Sequence, residues 1–411
     1  MVRSGKAFLT IAAAILATAS ASATAATWSV TVRNPGESLG ETPIVAELKA
    51  DVPAGDYVVS SRDDTAPAGR AQVFQDGGKF MLAVVLKRVP AKAELRFTLT
   101  PATRSDASKP GVEVRPEGKN LQVFVGGKPL TVYNADGPNK PYYYPVFGPN
   151  GSEFTRAYPM KKDVAGEARD HPHQRSFWFT HGKVNGLDFW ASDPMNGEKT
   201  TFGSIKETSS KSLSGDAVGL IRTTDDWLDH DGKKVLEDLR VVRFYDTARA
   251  RVIDFDIVLK ASNGPVTFGD TKEGMFGVRV ASSMDVKNKT GGKITNAEGV
   301  TDLAAWGKAS PWVDYTGPVA GKTVGVAILN HPDSFRFPTT WHVRDYGLFA
   351  ANPFGWHDFG LNKSGDHSLQ PGQSIRFGYR VILHEGDTAS AHIPDAFRGY
   401  AQPPSVEVKA E

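Results

Sequence analysis

Long runs of alternating apolar and polar residues constrain the fold of this chain more than any other feature. The alternation is clearest in Val235–Tyr245, Ala250–Lys260 and Ile375–Leu383. A period of two is typical of β-strands with one buried face, and a helical period occurs only from Ala389 to Tyr400. The sequence therefore predicts an all-β protein dominated by a large antiparallel β-sandwich.

Turn-rich segments divide the chain into parts. Six short strands, two of them joined by a hairpin at Asp76–Gly78, predict a small immunoglobulin-like β domain over residues 27–102. Residues 103–118 are rich in Ser, Lys, Pro and Gly and are expected to form a linker. The main β-sandwich domain with the candidate site is predicted over residues 119–400, and residues 401–411 are expected to be a loose tail.

The first 26 residues have the pattern of a secretory signal peptide. Arg3 and Lys6 precede an apolar run over residues 8–17, and small residues follow, with cleavage expected after Ala23 or Ala26. No later stretch reaches the roughly 18 apolar residues of a spanning helix. The mature protein is therefore expected to be soluble, without a membrane span, and exported to the periplasm or secreted by a bacterium.

Charge, cysteine content and missing motifs exclude several classes of function. The chain has 48 Lys+Arg and 46 Asp+Glu, and loss of Arg3 and Lys6 would leave the two equal, so no nucleic-acid partner is predicted. The absence of cysteine excludes disulfides, thiolate nucleophiles and Cys-type zinc sites. No Gly-rich phosphate loop, Gly-x-Ser-x-Gly elbow or His-Glu-x-x-His is present, which argues against nucleotide-dependent enzymes, serine hydrolases and zinc proteases. The sequence makes no prediction of the oligomeric state.

The stretch Asp170–Trp190 is the main candidate for a functional site. Three of the ten histidines, His171, His173 and His181, lie in it together with Arg175. Histidine transfers protons near neutral pH and binds metals, and the aromatic residues around these side chains, among them Trp178 and Trp190, can supply walls. The alternative interpretation is that these are core histidines on aromatic strands.

A divalent metal at His171 and His173 is a further hypothesis. On an extended segment, residues two apart point to one face, and the intervening proline favours an extended backbone. Two such imidazoles would bind adjacent substrate hydroxyls or a metal. A metal would need a third ligand, such as His181, His342 or Glu273.

Two later segments also carry candidate residues. In Asp270–Arg279, Glu273 precedes an apolar strand that ends in Arg279, and a carboxylate near apolar walls can act as general acid or base. Its alternative is a solvated turn glutamate. The segment Thr339–Gly355 contains His342, Arg344, Asp345 and Asn352. Arg344 can bind a carboxylate through two hydrogen bonds, either on a substrate or within the protein.

Five ordered blocks resemble the bacterial family labelled "methane oxygenase PmoA", here called the PmoA-like family. The blocks are Pro145–Gly151, Asp170–Ser176, His181–Trp190, Glu273–Arg279 and Trp341–Gly355. The methane monooxygenase subunit of that name is a multi-spanning helical membrane protein, so the resemblance implies no methane oxidation here. It does imply a galactose-mutarotase-like supersandwich and a role in carbohydrate metabolism.

The sequence and this resemblance together indicate an exported carbohydrate-active enzyme, either a hydrolase of the glycosidase type or a polysaccharide lyase. Acid–base chemistry would take place on a concave β face lined by Trp178, Trp190, Trp341 and Tyr144. The candidate catalytic residues are His171, His173, His181, Glu273 and His342. The candidate substrate-binding residues are Arg175, Trp178, Trp190, Arg279, Arg344, Asp345 and Asn352. The alternatives are a non-catalytic glycan-binding protein and a metal-dependent oxidase with histidine ligands.

Overall fold

The computed structural model describes residues 27–62, 69–103 and 110–411. The predicted signal peptide over residues 1–26 lies outside the described residues, as do residues 104–109 of the predicted linker. Within the described ranges the chain forms twenty-five strands, four short 3-10 helices and one α-helix. The prediction of an all-β protein is therefore confirmed. No helix in these ranges is long and apolar enough to cross a membrane.

The strands fall into two groups along the chain. The first group is β1 (Trp28–Asn34), β2 (Thr42–Glu47), β3 (Gly55–Ser61), β4 (Gly69–Asp76), β5 (Lys79–Leu86) and β6 (Ala93–Pro101). The second group is β7 (Val112–Glu117), β8 (Asn120–Val125), β9 (Lys128–Asn134), β10 (Tyr142–Val146), β11 (Phe177–His181), β12 (Ser204–Leu213), β13 (Val218–Leu228), β14 (Lys234–Tyr245), β15 (Arg251–Lys260), β16 (Val266–Phe268), β17 (Gly274–Arg279), β18 (Lys293–Asn296), β19 (Trp312–Val319), β20 (Lys322–Asn330), β21 (Trp341–Val343), β22 (Leu348–Ala351), β23 (His367–Leu369), β24 (Ser374–Glu385) and β25 (Ser405–Ala410). The helices are α1 (Ile393–Ala401) and the 3-10 segments Pro194–Asn196, Ser282–Met284, Val286–Asn288 and Asp302–Ala305.

The small domain contains the six predicted strands. Together with β25 they form one continuous seven-stranded antiparallel sheet in the order β2-β5-β4-β3-β6-β1-β25, and alternate residues from β1 to β6 bury their side chains in a single core. The predicted hairpin is present, because Asp76 pairs with Lys79 across Gly77 and Gly78, both of which have positive φ. An immunoglobulin-like sandwich has two separate sheets, whereas the strands of this domain are hydrogen-bonded in one sheet.

Two segments expected to be irregular are strands. Part of the predicted linker, residues 112–117, is β7, which forms an edge of the main domain and buries Val112 and Val114. The predicted loose tail contains β25, which pairs along the whole of β1 and packs Val406 and Val408 on the small core. In both cases the alternation of valine with polar residues outweighs the turn-forming residues nearby.

Two eight-stranded antiparallel sheets build the main domain. The front sheet has the order β21-β22-β17-β11-β10-β9-β8-β7, and the back sheet has the order β12-β13-β14-β15-β24-β20-β19-β18. Their inner faces share one large apolar core, as the predicted sandwich requires. In β11, Phe177 and Phe179 point into that core, whereas Trp178 points to the outer face of the front sheet.

Hydrophobic packing and ion pairs join the small domain to the back sheet. Phe74 and Val85 pack against Val218 and Tyr245, among other side chains. At the rim of this contact, Asp76 pairs with Arg222 and, at 2.5 Å, with Arg243. The two domains therefore share a desolvated interface.

We expect Asp76→Ala to lower the free energy of unfolding by about 2 kcal/mol, because the change leaves two partly buried guanidinium groups without this carboxylate. Arg243 retains Asp256, which keeps the loss below that of an isolated buried pair. Urea titration measures the change. Glu47→Ala is the control, because Glu47 pairs with Lys79 at the surface and its loss should have no measurable effect. Equal effects of the two variants would contradict the role given to Asp76.

Candidate active site

A turn brings the first site residues over the front sheet. The backbone N–H of Gln174 donates to the carbonyl of His171 at 3.0 Å, and His171 itself has φ of 46°. The prediction that His171 and His173 lie on an extended segment is therefore wrong. Their rings do come together, with centroids 5.7 Å apart and planes at 76°. A positive backbone φ is uncommon for residues other than glycine, and such residues occur preferentially at functional sites.

Two arginines hold Asp170 next to this turn. Its Oδ1 accepts from Arg156 Nη1 at 2.6 Å and from Arg279 Nη2 at 2.8 Å, and both arginines have no exposed side-chain surface. Burial of the carboxyl opposes its ionisation, but the hydrogen bond from His171 and the charges of Arg279 and Arg156 lower the pKa of Asp170 well below its usual range. Asp170 is thus a permanently ionised anchor.

His171 and Asp170 form a pair with the geometry of a base and its orienting carboxylate. The Nδ1 of His171 lies 3.3 Å from Asp170 Oδ2, and the imidazole stacks on the ring of Tyr346 with centroids 5.2 Å apart and planes at 3°. The side chain of His171 is 41% exposed. Donation from Nδ1 to the carboxylate leaves Nε2 as the nitrogen that can accept a proton from a substrate.

His173 has a different environment. It is buried, and its Nδ1 faces the amide nitrogen of Asn196 at 3.0 Å, which assigns the ring proton to Nε2. Burial, followed by the positive charge of Lys140, lowers the pKa of His173 to about 3. At neutral pH it is therefore a hydrogen-bond donor, and not a base.

The tryptophans predicted to contact substrate lie beneath the site. Trp178 and Trp190 are almost fully buried and pack against each other, with ring centroids 5.2 Å apart. Trp178 occupies the space above Gly277, where a Cβ would come within 2.7 Å of the indole. Arg175 is also buried, and its Nε donates to Asp193 at 2.7 Å. These residues support the site from below, so their predicted role in direct substrate binding is not observed.

Glu273 is accessible on the same face. Its side chain is 33% exposed, and Oε1 lies 3.0 Å from Lys272 Nζ. Gly182 fixes its position, because the Gly182 N–H donates to the Glu273 carbonyl at 2.7 Å and the Cβ atoms of Glu273 and Trp190 flank this glycine. Glu273 is therefore an accessible carboxyl side chain beside the buried tryptophans, in contact with Lys272.

The loop that presents Glu273 is held by two residues predicted to contact substrate. The Nδ1 of His342 lies 2.7 Å from the carbonyl of Lys272, and Asn352 Nδ2 donates to the carbonyls of Thr271 and Lys272 at 2.9 and 2.8 Å. Both side chains are buried, and burial lowers the pKa of His342 to about 3. His342 and Asn352 are positioning residues, which corrects their assignment to catalysis and substrate binding.

His181 belongs to the core between the sheets. It has no exposed surface, its Nε2 lies 2.8 Å from the carbonyl of Gly269, and its ring packs between Phe268 and Phe354. Burial lowers its pKa to about 4. The prediction of a catalytic His181 is therefore wrong, and the alternative of a core histidine holds for this residue.

The turn between β21 and β22 contributes the central aromatic ring of the site. The Arg344 N–H donates to the carbonyl of Leu348 at 2.8 Å, and Gly347 has φ of 91°, which a side chain would strain. This turn places Tyr346 over the front sheet. Asp345 in the same turn is half-buried, and no ion pair joins it to Arg344 within the described ranges. The internal Arg344–Asp345 pair considered from the sequence is therefore not formed.

A group of contacting side chains, here called the hairpin cluster, extends from this turn. Its members are His171, Tyr346, Arg344, Trp306 and Phe359. The Arg344 guanidinium carbon lies 5.6 Å from the Tyr346 ring centroid and 5.9 Å from that of Trp306, whose ring is 5.2 Å from Phe359. All three aromatic rings are half-buried and thus keep accessible surface.

Two other aromatic residues expected to line the face lie elsewhere. Trp341 is fully buried in the core between the sheets, and its Nε1 donates to the carbonyl of Ser310. Tyr144 is buried against Lys161 and outside the hairpin cluster. The accessible aromatic surface of the site is therefore that of the hairpin cluster.

The donor set at the histidine pair does not fit a metal. The Nδ1 atoms of His171 and His173 face Asp170 and Asn196, and two buried arginine charges lie directly behind them. In residues 27–62, 69–103 and 110–411, no group of three or more ligating side chains is close enough to hold an ion. Within these ranges the two histidines therefore lack the third side-chain ligand that a metal site requires.

Several residues of this site were not predicted from the sequence. Tyr346 lies between Asp345, a predicted site residue, and Gly347 of the turn. Its position next to Arg344 and Asp345 in the sequence is the feature from which it could have been predicted. Gln174 lies inside the predicted stretch but was not singled out. The others come from other segments of the chain, and the fold brings them together: Lys140, Arg156, Asn196, Trp306 and Phe359.

Fold and site together define an all-β sandwich protein with an Asp–His pair on the outer face of one sheet. The chain belongs to the family of unknown function DUF6807, whose model matches residues 120–398. The five blocks that resemble the PmoA-like family lie inside this range, and that resemblance stays a prediction. No curated protein matches the sequence.

Two solved structures are similar to this chain. One is a galactose mutarotase-like protein from Lactobacillus casei ATCC 334, with 11% identity, a TM-score of 0.32 and coverage of 67% of this chain and 100% of that one. The other is a galactose mutarotase-like protein from Clostridium acetobutylicum, with 10% identity, a TM-score of 0.34 and coverage of 67% of this chain and 98% of that one.

Proposed function

We propose that this protein is an exported carbohydrate-active enzyme in which His171 is the base of an acid–base reaction on a sugar ring. The observation that carries the proposal is the Asp170–His171 pair, oriented by two buried arginines and half-exposed on the surface. An imidazole whose Nδ1 is held by a carboxylate is a standard proton acceptor. Export is proposed from the signal-peptide pattern of the first 26 residues.

Glu273 is the partner acid in this proposal. Its side chain is accessible and lies beside Trp190, which also contacts His173. The half-buried rings of the hairpin cluster supply apolar surfaces against which a sugar ring can pack. Acid, base and aromatic surface thus lie on one face of the front sheet.

The geometry favours proton transfer over two-carboxylate hydrolysis. A glycosidase uses one carboxyl group as acid and a second as base or nucleophile. Asp170 cannot serve, because Oδ1 is bound by two arginines, Oδ2 faces His171, and its pKa is held well below the usual range by the His171 hydrogen bond and the arginine charges. A lyase or an epimerase, with His171 as base and Glu273 as acid, matches the available groups better.

His171→Asn tests the proposal, because the asparagine amide can still donate to Asp170 but cannot accept the substrate proton. We expect kcat on a cleaved or epimerised oligosaccharide to fall at least about 100-fold, while the affinity changes little. Glu273→Gln should have a similar effect. The control is His392→Asn, because the His392 side chain is 73% exposed and the residue directly precedes α1, outside the candidate site.

Substrates are screened as a panel of neutral and acidic oligosaccharides, with product formation and binding measured separately. Turnover that survives in His171→Asn would contradict the proposed base. Binding without turnover of any member of the panel, abolished by changes at the hairpin cluster, would instead identify a non-catalytic glycan-binding protein.

A further inference from the structure

We infer that the substrate carries a carboxylate, as a uronic acid does, and that Arg344 binds this group. The inference deepens the proposed function, on which it rests, by naming the class of sugar. It depends on the charge pattern around Tyr346 and on the position of Arg344 relative to His171.

Arg344 differs from the other arginines of the site, and from Lys272 and Lys287, in having no internal counter-ion. Arg156 and Arg279 are bound to Asp170, Arg175 is bound to Asp193, Lys272 lies 3.0 Å from Glu273, and Lys287 lies 3.8 Å from Asp285. For Arg344, no carboxylate lies within ion-pair distance in the part of the chain that the structure describes, and its Nε is buried without a hydrogen-bond partner there. A half-buried guanidinium without a partner is costly unless a ligand supplies one.

The surroundings of Arg344 fix its guanidinium group. The group lies between the rings of Tyr346 and Trp306, at 5.6 and 5.9 Å from their centroids. Such contacts restrict the long side chain before a ligand binds, which reduces the entropy cost of binding. The planar fork of arginine matches the two oxygens of a carboxylate.

Arg344 is also placed to assist the base. The Arg344 guanidinium and the His171 ring both contact Tyr346, at 5.6 and 5.2 Å from its centroid, so a sugar bound beside Tyr346 can meet both. In a uronate, the carbon next to the carboxylate carries the hydrogen that a base removes. Neutralisation of the carboxylate by Arg344 stabilises the negative charge that develops there.

The resulting step balances without a further reactant. The proton on the carbon next to the carboxylate moves to Nε2 of His171, and the electron pair of that C–H bond is delocalised into the carboxylate held by Arg344. The intermediate then either expels the oxygen on the adjacent carbon, which takes a proton from the carboxylic acid form of Glu273, or regains a proton from that acid at the same carbon on the opposite face. The first outcome is an elimination, and the second is an epimerisation.

Isothermal titration calorimetry with matched ligands tests the inference. The ligands are oligogalacturonate, oligoalginate and oligoglucuronate, each compared with its carboxyl-reduced neutral counterpart. We expect the wild-type protein to bind at least one acidic oligosaccharide at least about tenfold more tightly than its reduced form. Arg344→Gln should remove this preference, and Arg344→Lys should retain part of it because the charge remains while the fork is lost.

The control variant is Arg169→Gln, which removes the same charge from an exposed side chain in the loop before Asp170. Thermal melting of each variant shows whether it is folded, and the comparison of acidic with reduced ligands on the wild-type protein needs no variant. Equal affinity for both members of every pair, no binding of any acidic ligand, or an unchanged preference in a folded Arg344→Gln overturns the inference. Turnover of a neutral sugar that depends on His171 would refute the role of Arg344 and leave the proposed function standing.

Discussion

Arg279→Leu should lower the free energy of unfolding by about 3 kcal/mol, near the lower end of the cost of breaking a buried ion pair. Arg279 has no exposed side-chain surface, donates to Asp170 at 2.8 Å and to Gln174, and lies under the ring of Tyr346 at 4.9 Å. Its removal takes one donor from Asp170 and leaves the buried Gln174 side-chain carbonyl oxygen without this donor. The cost stays near the lower limit because Asp170 keeps Arg156 and is itself 37% exposed.

Urea denaturation of Arg279→Leu measures this loss. The matched control is Arg169→Leu, since Arg169 is 59% exposed and its contact with Asp163 is 3.5 Å long at the surface. The control should have the same urea midpoint and the same free energy of unfolding as the wild type. An Arg279→Leu protein as stable as the wild type would show that the Asp170 network is dispensable for folding, and would weaken the argument that it orients His171.

His181→Gln should make the protein less sensitive to acid. Burial lowers the pKa of His181 to about 4 in the folded state, whereas a histidine in the unfolded chain titrates near its usual value of about 6.5. Between these values the unfolded state binds more protons than the folded state, so the stability contributed by this group is present above about pH 6.5 and is lost as the pH falls towards 4. Glutamine keeps a donor for the Gly269 carbonyl and does not titrate in this range.

The predicted quantity is the difference in unfolding free energy between His181→Gln and the wild type. From pH 7 to pH 4 this difference should shift in favour of the variant by about 3 kcal/mol. A comparison with the wild type is required because other groups have the opposite pH dependence. Burial raises the pKa of Asp225 to about 8 and of Asp285 to about 6, so the folded state binds more protons at these groups than the unfolded state, and they stabilise the protein as the pH falls. His392→Gln, at an exposed site, is the control, and identical pH profiles for His181→Gln and the wild type would disprove the effect.

The β architecture of this protein could be read from the sequence because alternation is a local property. The turn at Gly77 and Gly78 and the long strands β14, β15 and β24 were predictable for this reason. Alternation also predicts that His181 is buried, although its place in the histidine-rich stretch suggested a catalytic role. Phe177, Phe179 and His181 are two residues apart, so the strand that buries the phenylalanines also buries the histidine.

The candidate site could be predicted only in part because its groups come from distant segments. Asp170, His171 and Glu273 were found as clusters of titratable residues, and the structure keeps them on one face. Which cations are neutralised internally depends on tertiary contacts, so the sequence could not separate Arg344 from Arg279. Nor could it show that Trp306, which precedes Arg344 by almost forty residues, packs beside it.

The pairing of β1 with β25 makes the small domain discontinuous, with the whole sandwich inserted between β6 and β25. During synthesis, β1 emerges from the ribosome first among the described strands, and its final partner emerges last. The free edge of β1 is therefore open to other chains until the end of translation. A nascent or C-terminally shortened chain would therefore expose a strand edge that the complete chain covers.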